Sequence, residues 1–292
     1  KGEIKRNQFG GSIGGPIIKD KLVFIFTPEF YRLRNLASPS ALVPTQEFRD
    51  MITNPYMAQI FQQYYPLPTD LGGSVPGMNG YTYFAGNEAS NSEQYTVKAD
   101  YMMSEAHSMS ARYYANPSDY QEPRVLPDTD LGRFPSGGRT QSIALDWTWI
   151  ISPTFVNNAK LGFNRVAYGW FRPETNDVDL VFSDFYAGEG LTYFTDFGGP
   201  WGYGDQWRNT STWEVKDTIT WTKNTHSIKF GLDFRRMADN AETNFYIYPS
   251  LFFDQYYGYA PSSDTLTNIA LGATDYSYQG IYSNGAEFVP GM

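Results

Sequence analysis

The chain has 292 residues, of which 18% are charged, 17% are aromatic and none is cysteine, and its formal net charge is −9. The lack of cysteine excludes disulfides, thiolate metal sites and a cysteine nucleophile. An acidic chain with scattered Lys and Arg also lacks the basic patch that nucleic acid requires. The longest apolar run, Leu22 to Phe26, falls far short of the ~18 residues of a membrane helix, so a membrane role would fall to strands.

In chain order, the first hairpin is expected from a Gly-rich strand at Phe9 to Ile17, a turn at Lys19-Asp20-Lys21, and a return through Leu22 to Phe26. Glycines inside a strand mark a bend or a close backbone approach. A second hairpin follows from period-two alternation, which places successive side chains on opposite faces. Tyr95, Val97, Ala99, Tyr101 and Met103 share one face, against Thr96, Lys98, Asp100 and Met102. After Ser104-Glu105-Ala106-His107, alternation resumes with Met109, Ala111, Tyr113 and Ala115.

A third hairpin sets Ile143, Leu145, Trp147, Trp149 and Ile151 against Ala159, Leu161 and Phe163 across Ser152-Pro153-Thr154. Beyond Arg165 the phase slips, and Val166, Tyr168 and Trp170 become the apolar set. A bulge or a strand leaving its apolar layer would each produce that. The last hairpin runs through Trp213, Val215, Ile219 and Trp221, turns at Lys223-Asn224-Thr225, and returns through Ile228, Phe230, Leu232 and Phe234. Asp217 interrupts the outgoing apolar face.

The connections at one end are tight turns. At the other they are long, at about 36–93, 117–139, 172–209 and 241–275, with a short helix expected from about Thr45 to Tyr64. Outer-membrane barrels combine short periplasmic turns with long extracellular loops in this way, and spanning strands need only ~9–11 residues. Trp147, Trp149, Trp213 and Trp221 fall near the ends of the apolar faces, as an interfacial aromatic girdle requires. The reading is an all-β, antiparallel up-and-down transmembrane barrel, of which about eight or nine strands are present. Lys1-Gly2-Glu3-Ile4 and Pro290-Gly291-Met292 read as interior sequence, so residues 1–292 are expected to be a fragment of a larger barrel.

The segment Arg6-Asn7-Gln8-Phe9-Gly10-Gly11-Ser12-Ile13-Gly14-Gly15-Pro16-Ile17, followed by Lys19-Asp20-Lys21-Leu22-Val23-Phe24-Ile25-Phe26, resembles a signature of Oar-like, carboxypeptidase-regulatory-domain-containing TonB-dependent receptors. Val97-Lys98-Ala99-Asp100-Tyr101 with Ser110-Ala111-Arg112-Tyr113, and Trp221-Thr222-Lys223 with His226 to Arg236, resemble further hairpins of that family. The loop opening Val43-Pro44-Thr45 is similar to its first large extracellular loop. The resemblance implies a bacterial outer-membrane barrel of roughly 22 strands. It also implies an upstream plug, coupling to the TonB complex, and energy-dependent uptake of a ligand captured by the outer loops. Plug, TonB box and terminal strand do not occur in this sequence, so transport is an implication for the parent protein.

The candidate ligand-binding residues are the loop aromatics Tyr81, Tyr83, Phe84, Trp201, Tyr203, Trp207, Tyr246 and Tyr248, with Phe252 and Phe253 beside them. Aromatic rings supply contact area at low entropic cost; equally, they pack loops against one another. His107 and His226 read as turn residues, because nothing near them completes a triad or zinc site. Gly10 to Gly15 lacks the Gly-Lys-Ser/Thr ending of a phosphate loop. Asp128, Asp130, Asp177, Asp179 and Asp184 read as solvated loop acids, with calcium ligation the rival reading. The chain is expected to be no enzyme and to need no cofactor, its partners being outer-membrane lipid, the TonB complex and an unknown small ligand, peptide or glycan. The alternative is a surface or secreted β-sheet protein that binds carbohydrate, its apolar faces packed in a sandwich core.

Overall fold

The computed structural model describes residues 3–173, 178–182, 192–198, 204–244, 247–254 and 256–278. Its strands are β1 (Glu3–Gly10), β2 (Ile13–Ile18), β3 (Leu22–Ala37), β4 (Ser40–Pro44), β5 (Asn79–Tyr83), β6 (Gly86–Met102), β7 (His107–Gln121), β8 (Ser136–Ser152), β9 (Phe155–Trp170), β10 (Asp179–Val181), β11 (Gln206–Lys223), β12 (His226–Thr243), β13 (Ser250–Phe252) and β14 (Tyr276–Tyr278). The helices are α1 (Gln46–Met51), α2 (Pro55–Tyr64) and α3 (Thr265–Leu271). No described helix is long and apolar enough to cross a membrane; the strands are the long elements.

Nine strands form one antiparallel sheet in the order β1-β3-β6-β7-β8-β9-β11-β12, with β2 also on β3. β1 and β2 lie end to end along the same edge of β3, separated at Gly11-Ser12. The break sits opposite Pro28, which has no N–H to donate; its carbonyl accepts from the Gly11 N–H at 3.1 Å. Gly10 is required there, since a Cβ would come within 2.6 Å of the Pro28 oxygen. The short turns fall as the alternation predicts. Asp20 and Asn224 take positive φ values of 60° and 56°, a conformation that Asp and Asn tolerate better than most side chains.

The register puts the expected apolar sets of neighbouring strands on one face, except for Val166, Tyr168 and Trp170. Phe26, Val97, Tyr113, Ile143, Phe163 and Trp213 run across neighbouring strands in one row. Three or four positions lower, Trp149, Trp221 and Ile228 close the band. From Trp213 to Trp221 the band extends about 27 Å along the strand at ~3.4 Å per residue, or roughly 20 Å of height at a ~40° tilt, near the thickness of the apolar belt of outer-membrane barrels. Among the described residues nothing covers this face: Trp213 is 57% exposed, Leu161 52% and Phe234 62%. A sandwich core would have covered them, so the apolar face is outward.

The opposite face is polar and cross-paired. Asp146, Lys160, Lys216 and Asp233 occupy one row over four strands, with Lys160 on Asp146 at 2.6 Å and Lys216 near Asp233 at 3.6 Å. Arg235 reaches Glu214 at 3.0 Å. These charges face inward.

Asp217, on the outward face, is not orphaned: Asn157 Nδ2 donates to it at 2.6 Å. Two sequence expectations change. The β9 register is unbroken through Arg165 against both neighbours, so no bulge lies there, and Val166, Tyr168 and Trp170 are inward residues above the apolar band. The helix expected from Thr45 to Tyr64 is two helices, because Pro55 holds the preceding residues extended. The strands β6, β7, β8, β9, β11 and β12, of 15–18 residues, exceed the membrane requirement, and their excess projects past the long-loop end.

Candidate functional site: the loop cap and the wall beneath it

The buried hydrophobic core of this protein lies in its loops. Thr45 caps α1 by accepting from the Phe48 N–H at 3.2 Å. Asn54 caps α2 through the N–H groups of Tyr56 and Met57 at 2.9 and 3.2 Å, with Pro55 preset at the first helical position. The i, i+3, i+4 spacing of Met57, Ile60 and Phe61 points one face of α2 into the core. There Phe61 meets Phe48, Tyr65, Phe182 and Phe194 at ring separations of 5.9, 5.0, 5.4 and 5.2 Å. Leu126 and Leu131 enter from the β7–β8 connection, and Phe253, Leu266 and Ile269 from the segment after β12. Four connections therefore share one interior.

Polar links fasten the loops. Tyr65 donates its hydroxyl to the Thr195 carbonyl at 2.6 Å, and Asn79 Nδ2 donates to the Tyr193 carbonyl at 2.6 Å. β10 pairs in parallel with β13. Beside that pairing, Arg172 binds Asp179 through both terminal nitrogens at 2.6 and 3.3 Å, with both side chains essentially inaccessible and the guanidinium 4.2 Å from the Tyr248 ring centre. Burial raises the Asp196 carboxyl pKa to about 6 against its usual 3.8, opposed by the Phe182 N–H and reinforced by the charge of Asp179. Burial, and then Asp196, push the Tyr65 phenol well above its ordinary value. Asp275 moves the other way: burial disfavours its charge, but the N–H groups of Tyr257, Ala260, Tyr259 and Gly258 outweigh it and lower the pKa.

Beneath the cap, the upper wall carries an inward ledge. Val166, Tyr168 and Trp170 of β9, Gln206, Trp207, Arg208 and Thr210 of β11, and Ala241, Glu242 and Thr243 of β12 line a cavity of about 320 Å³, within the size range of small-ligand sites. Tyr168 and Trp170 stand perpendicular at 5.8 Å, and Tyr168 donates to Ser136 Oγ at 2.6 Å. An aromatic corner beside guanidinium, amide and hydroxyl groups offers stacking and hydrogen bonding together.

Among the described residues, the sequence-derived candidates are not gathered into one site. Tyr81 and Tyr83 lie on β5, where Tyr81 exchanges backbone hydrogen bonds with Asp70 and Tyr83 is 56% exposed. Phe84 packs on the loop core. Trp207, at an outward register position, donates to Glu242 at 2.8 Å and is the one described candidate that borders the ledge cavity, and Tyr248 braces Arg172. Phe253 is in the core and Phe252 stacks on Tyr276 at 4.5 Å. Trp201, Tyr203 and Tyr246 lie outside the described residues, as do Asp177 and Asp184. Asp130 is held by Arg124 and Arg133 at 2.9 and 2.5 Å, and Asp179 by Arg172. Among the described residues no three His, Asp or Glu side chains gather as a metal site would require. His107 begins β7 and stacks on Trp147 and Trp149 at 5.8 and 5.5 Å; His226 begins β12. The phase slip beyond Arg165 was the one sequence sign of the Tyr168–Trp170 ledge.

An apolar face turned outward, a charged face turned inward, tight turns below and long connections above define the wall, and residues 1–55 and 49–289 match the family described as outer membrane beta barrel domain. The chain belongs to that family. This outer membrane β-barrel domain accordingly lies in the bacterial outer membrane, its apolar band against lipid. No curated protein matches the chain. Among solved structures, the domain is similar to the outer membrane transporter YddB from Escherichia coli, with a TM-score of 0.50 and 10% sequence identity. The similarity covers 86% of this chain and 28% of that one, so the chain spans little more than a quarter of the transporter's length. At that identity the likeness is one of fold.

Proposed function

We propose that this domain is part of an Oar-like TonB-dependent receptor, in which the capped outer loops capture a ligand that is then taken up through the barrel by energy coupling to TonB. Residues 1–292 are, on this reading, one segment of the barrel, with the plug and the remaining strands elsewhere in the parent protein. The chain catalyses no reaction. The observation that carries the reading is the inward ledge of Tyr168, Trp170, Gln206 and Arg208 at the long-loop end of strands whose connections share one core. A cap of packed loops at the end of a polar, cross-paired inner wall suits capture followed by passage. The two open edges, β12 on one side and β1 with β2 on the other, leave the rest of the circle to further strands, as a larger barrel requires.

The test uses the full-length protein in living cells. Uptake of labelled peptides and oligosaccharides is compared with and without functional TonB, and with Trp170→Ala. The expected result is uptake of one class that needs TonB and falls in the variant. Binding at the surface that is indifferent to TonB would instead point to a carbohydrate-binding or adhesive surface protein.

A further inference from the structure

Above the apolar band the outward face changes character within one row. The row of Trp213, Phe163 and Ile143 is followed by Ser211, Arg165 and Gln141, and then by Asn209, Ala167 and Arg139. Arg139 and Arg165 are diagonal neighbours across β8 and β9, a spacing of roughly 7–8 Å between Cα atoms. Above Arg165, which borders it as Arg139 does not, is a shallow hollow of about 250 Å³ lined on the outward side by Gly137, Arg165, Ala167, Gly169, Trp207 and Asn209, with Tyr168 and Arg208 also reaching it. Small residues keep it open: a Cβ on Gly169 would meet the Gln206 oxygen at 2.8 Å and the Phe171 ring at 3.0 Å.

The two guanidiniums are poorly occupied by protein. Arg165 Nε donates to Asn209 Oδ1 at 2.9 Å, which orients its terminal nitrogens. Neither Arg165 nor Arg139 has a carboxylate partner among the described residues. The acids in the same outward band are already engaged. Glu93 holds Arg32, Asp119 accepts from Asn91 at 2.8 Å, and Glu242, on β12 and beyond Trp207 from Arg139, accepts from Trp207 and Asn244. Below the band the outward strand positions hold one Lys or Arg, Lys223, which lies over the Trp221 ring at 5.5 Å. Free cations therefore concentrate at one membrane surface, one or two rows beyond the hydrocarbon edge. That is the level of lipid headgroups, and paired guanidiniums suit phosphate oxygens.

We propose that Arg139 and Arg165, with the Gly137–Gly169 hollow between β8 and β11, bind the phosphate of an outer-leaflet lipid headgroup. Arg139 and Arg165 occupy outward register positions, and the proposal depends only on that face meeting lipid, so it stands or falls separately from ligand uptake. The full-length protein is placed in nanodiscs of phosphatidylcholine doped with phosphatidic acid or with the matching diacylglycerol, and lipids retained on release are counted by native mass spectrometry. Phosphatidic acid should be retained in preference to diacylglycerol. Arg139→Gln with Arg165→Gln should reduce that retention about 10- to 100-fold, and the double Lys variant should keep part of it. Lys229→Gln, an inward charge change, should leave it unaltered. Equal retention of the two lipids by the unaltered protein, which needs no variant to fold, overturns the proposal. So does undiminished phosphatidic acid retention by the double Gln variant.

Discussion

The wall and the cap of this protein are stabilised by opposite arrangements of the same residue types. In the wall, Leu161, Trp213 and Phe230 are half exposed or more, and their apolar surface becomes favourable only against hydrocarbon; the backbone ladder supplies the rest. In the cap, Phe48, Phe61, Phe182 and Phe194 are fully buried and behave as the core of a water-soluble domain. The charges divide likewise. The wall pairs Lys160 with Asp146 while both remain partly accessible, whereas the cap buries Arg172 against Asp179 out of reach of solvent. One chain thus meets two solvents, and the same substitution has different consequences in each.

The largest separation of the two regions is expected from Phe61→Ala. Removing a buried ring that touches four others costs about 3–5 kcal/mol, and the cost should stay in the cap. Hydrogen exchange on the full-length protein should quicken around 40–66, 179–182 and 264–271 while the amides of β8 and β9 keep their protection. Equal loss in the wall would show that cap and wall unfold as one unit. The reciprocal change is Leu161→Arg, which places a charge in the apolar band at a cost of about 2–4 kcal/mol. Folding equilibria in lipid vesicles should register it, with exchange in the cap unchanged.

Asp196 sharpens the contrast with a proton. Its folded pKa of about 6 lies above the usual 3.8, so the fold prefers the neutral acid. The stability this supplies is complete below about pH 4 and is lost as pH rises through about 6. The cap should therefore tighten on mild acidification, by on the order of 2 kcal/mol, measured as slower exchange near Phe182. Asp275, lowered in pKa, acts in the opposite sense and loses its contribution only at lower pH. Asp196→Asn should abolish the Asp196 response; an unchanged profile would assign it to another group. The smallest effect belongs to Lys160→Met, since a partly exposed ion pair contributes within ~1 kcal/mol. A large loss there would mean the inner wall is drier than its exposure indicates.

The wall was legible in the sequence because its code is local. Period-two alternation identified which residues of the third and fourth hairpins share a face, and turn residues such as Asp20 and Asn224 fixed where each strand reverses. Both signals are carried by neighbours a few positions apart, and a ladder of hydrogen bonds converts them directly into register. Even the anomaly at Arg165 was visible, although only pairing with β8 and β11 decided that the strand continues unbroken and turns Tyr168 and Trp170 inward.

The cap followed no such code. Helical structure between Thr45 and Tyr64 could be anticipated from its own residues, although it divides into two helices at Pro55, but that Phe61 would meet Phe182 and Phe194, or Arg172 would be sealed against Asp179 under Tyr248, depends on partners brought together from separate loops. The described aromatics among those singled out by composition scattered accordingly, some into the core and some to the surface. The sequence by itself determined a wall with an oily and a wet side, because alternation is a property of one strand. Only the tertiary structure decided the cap's interior and the pairing of Arg139 with Arg165, because each arises where segments distant in the chain are set side by side.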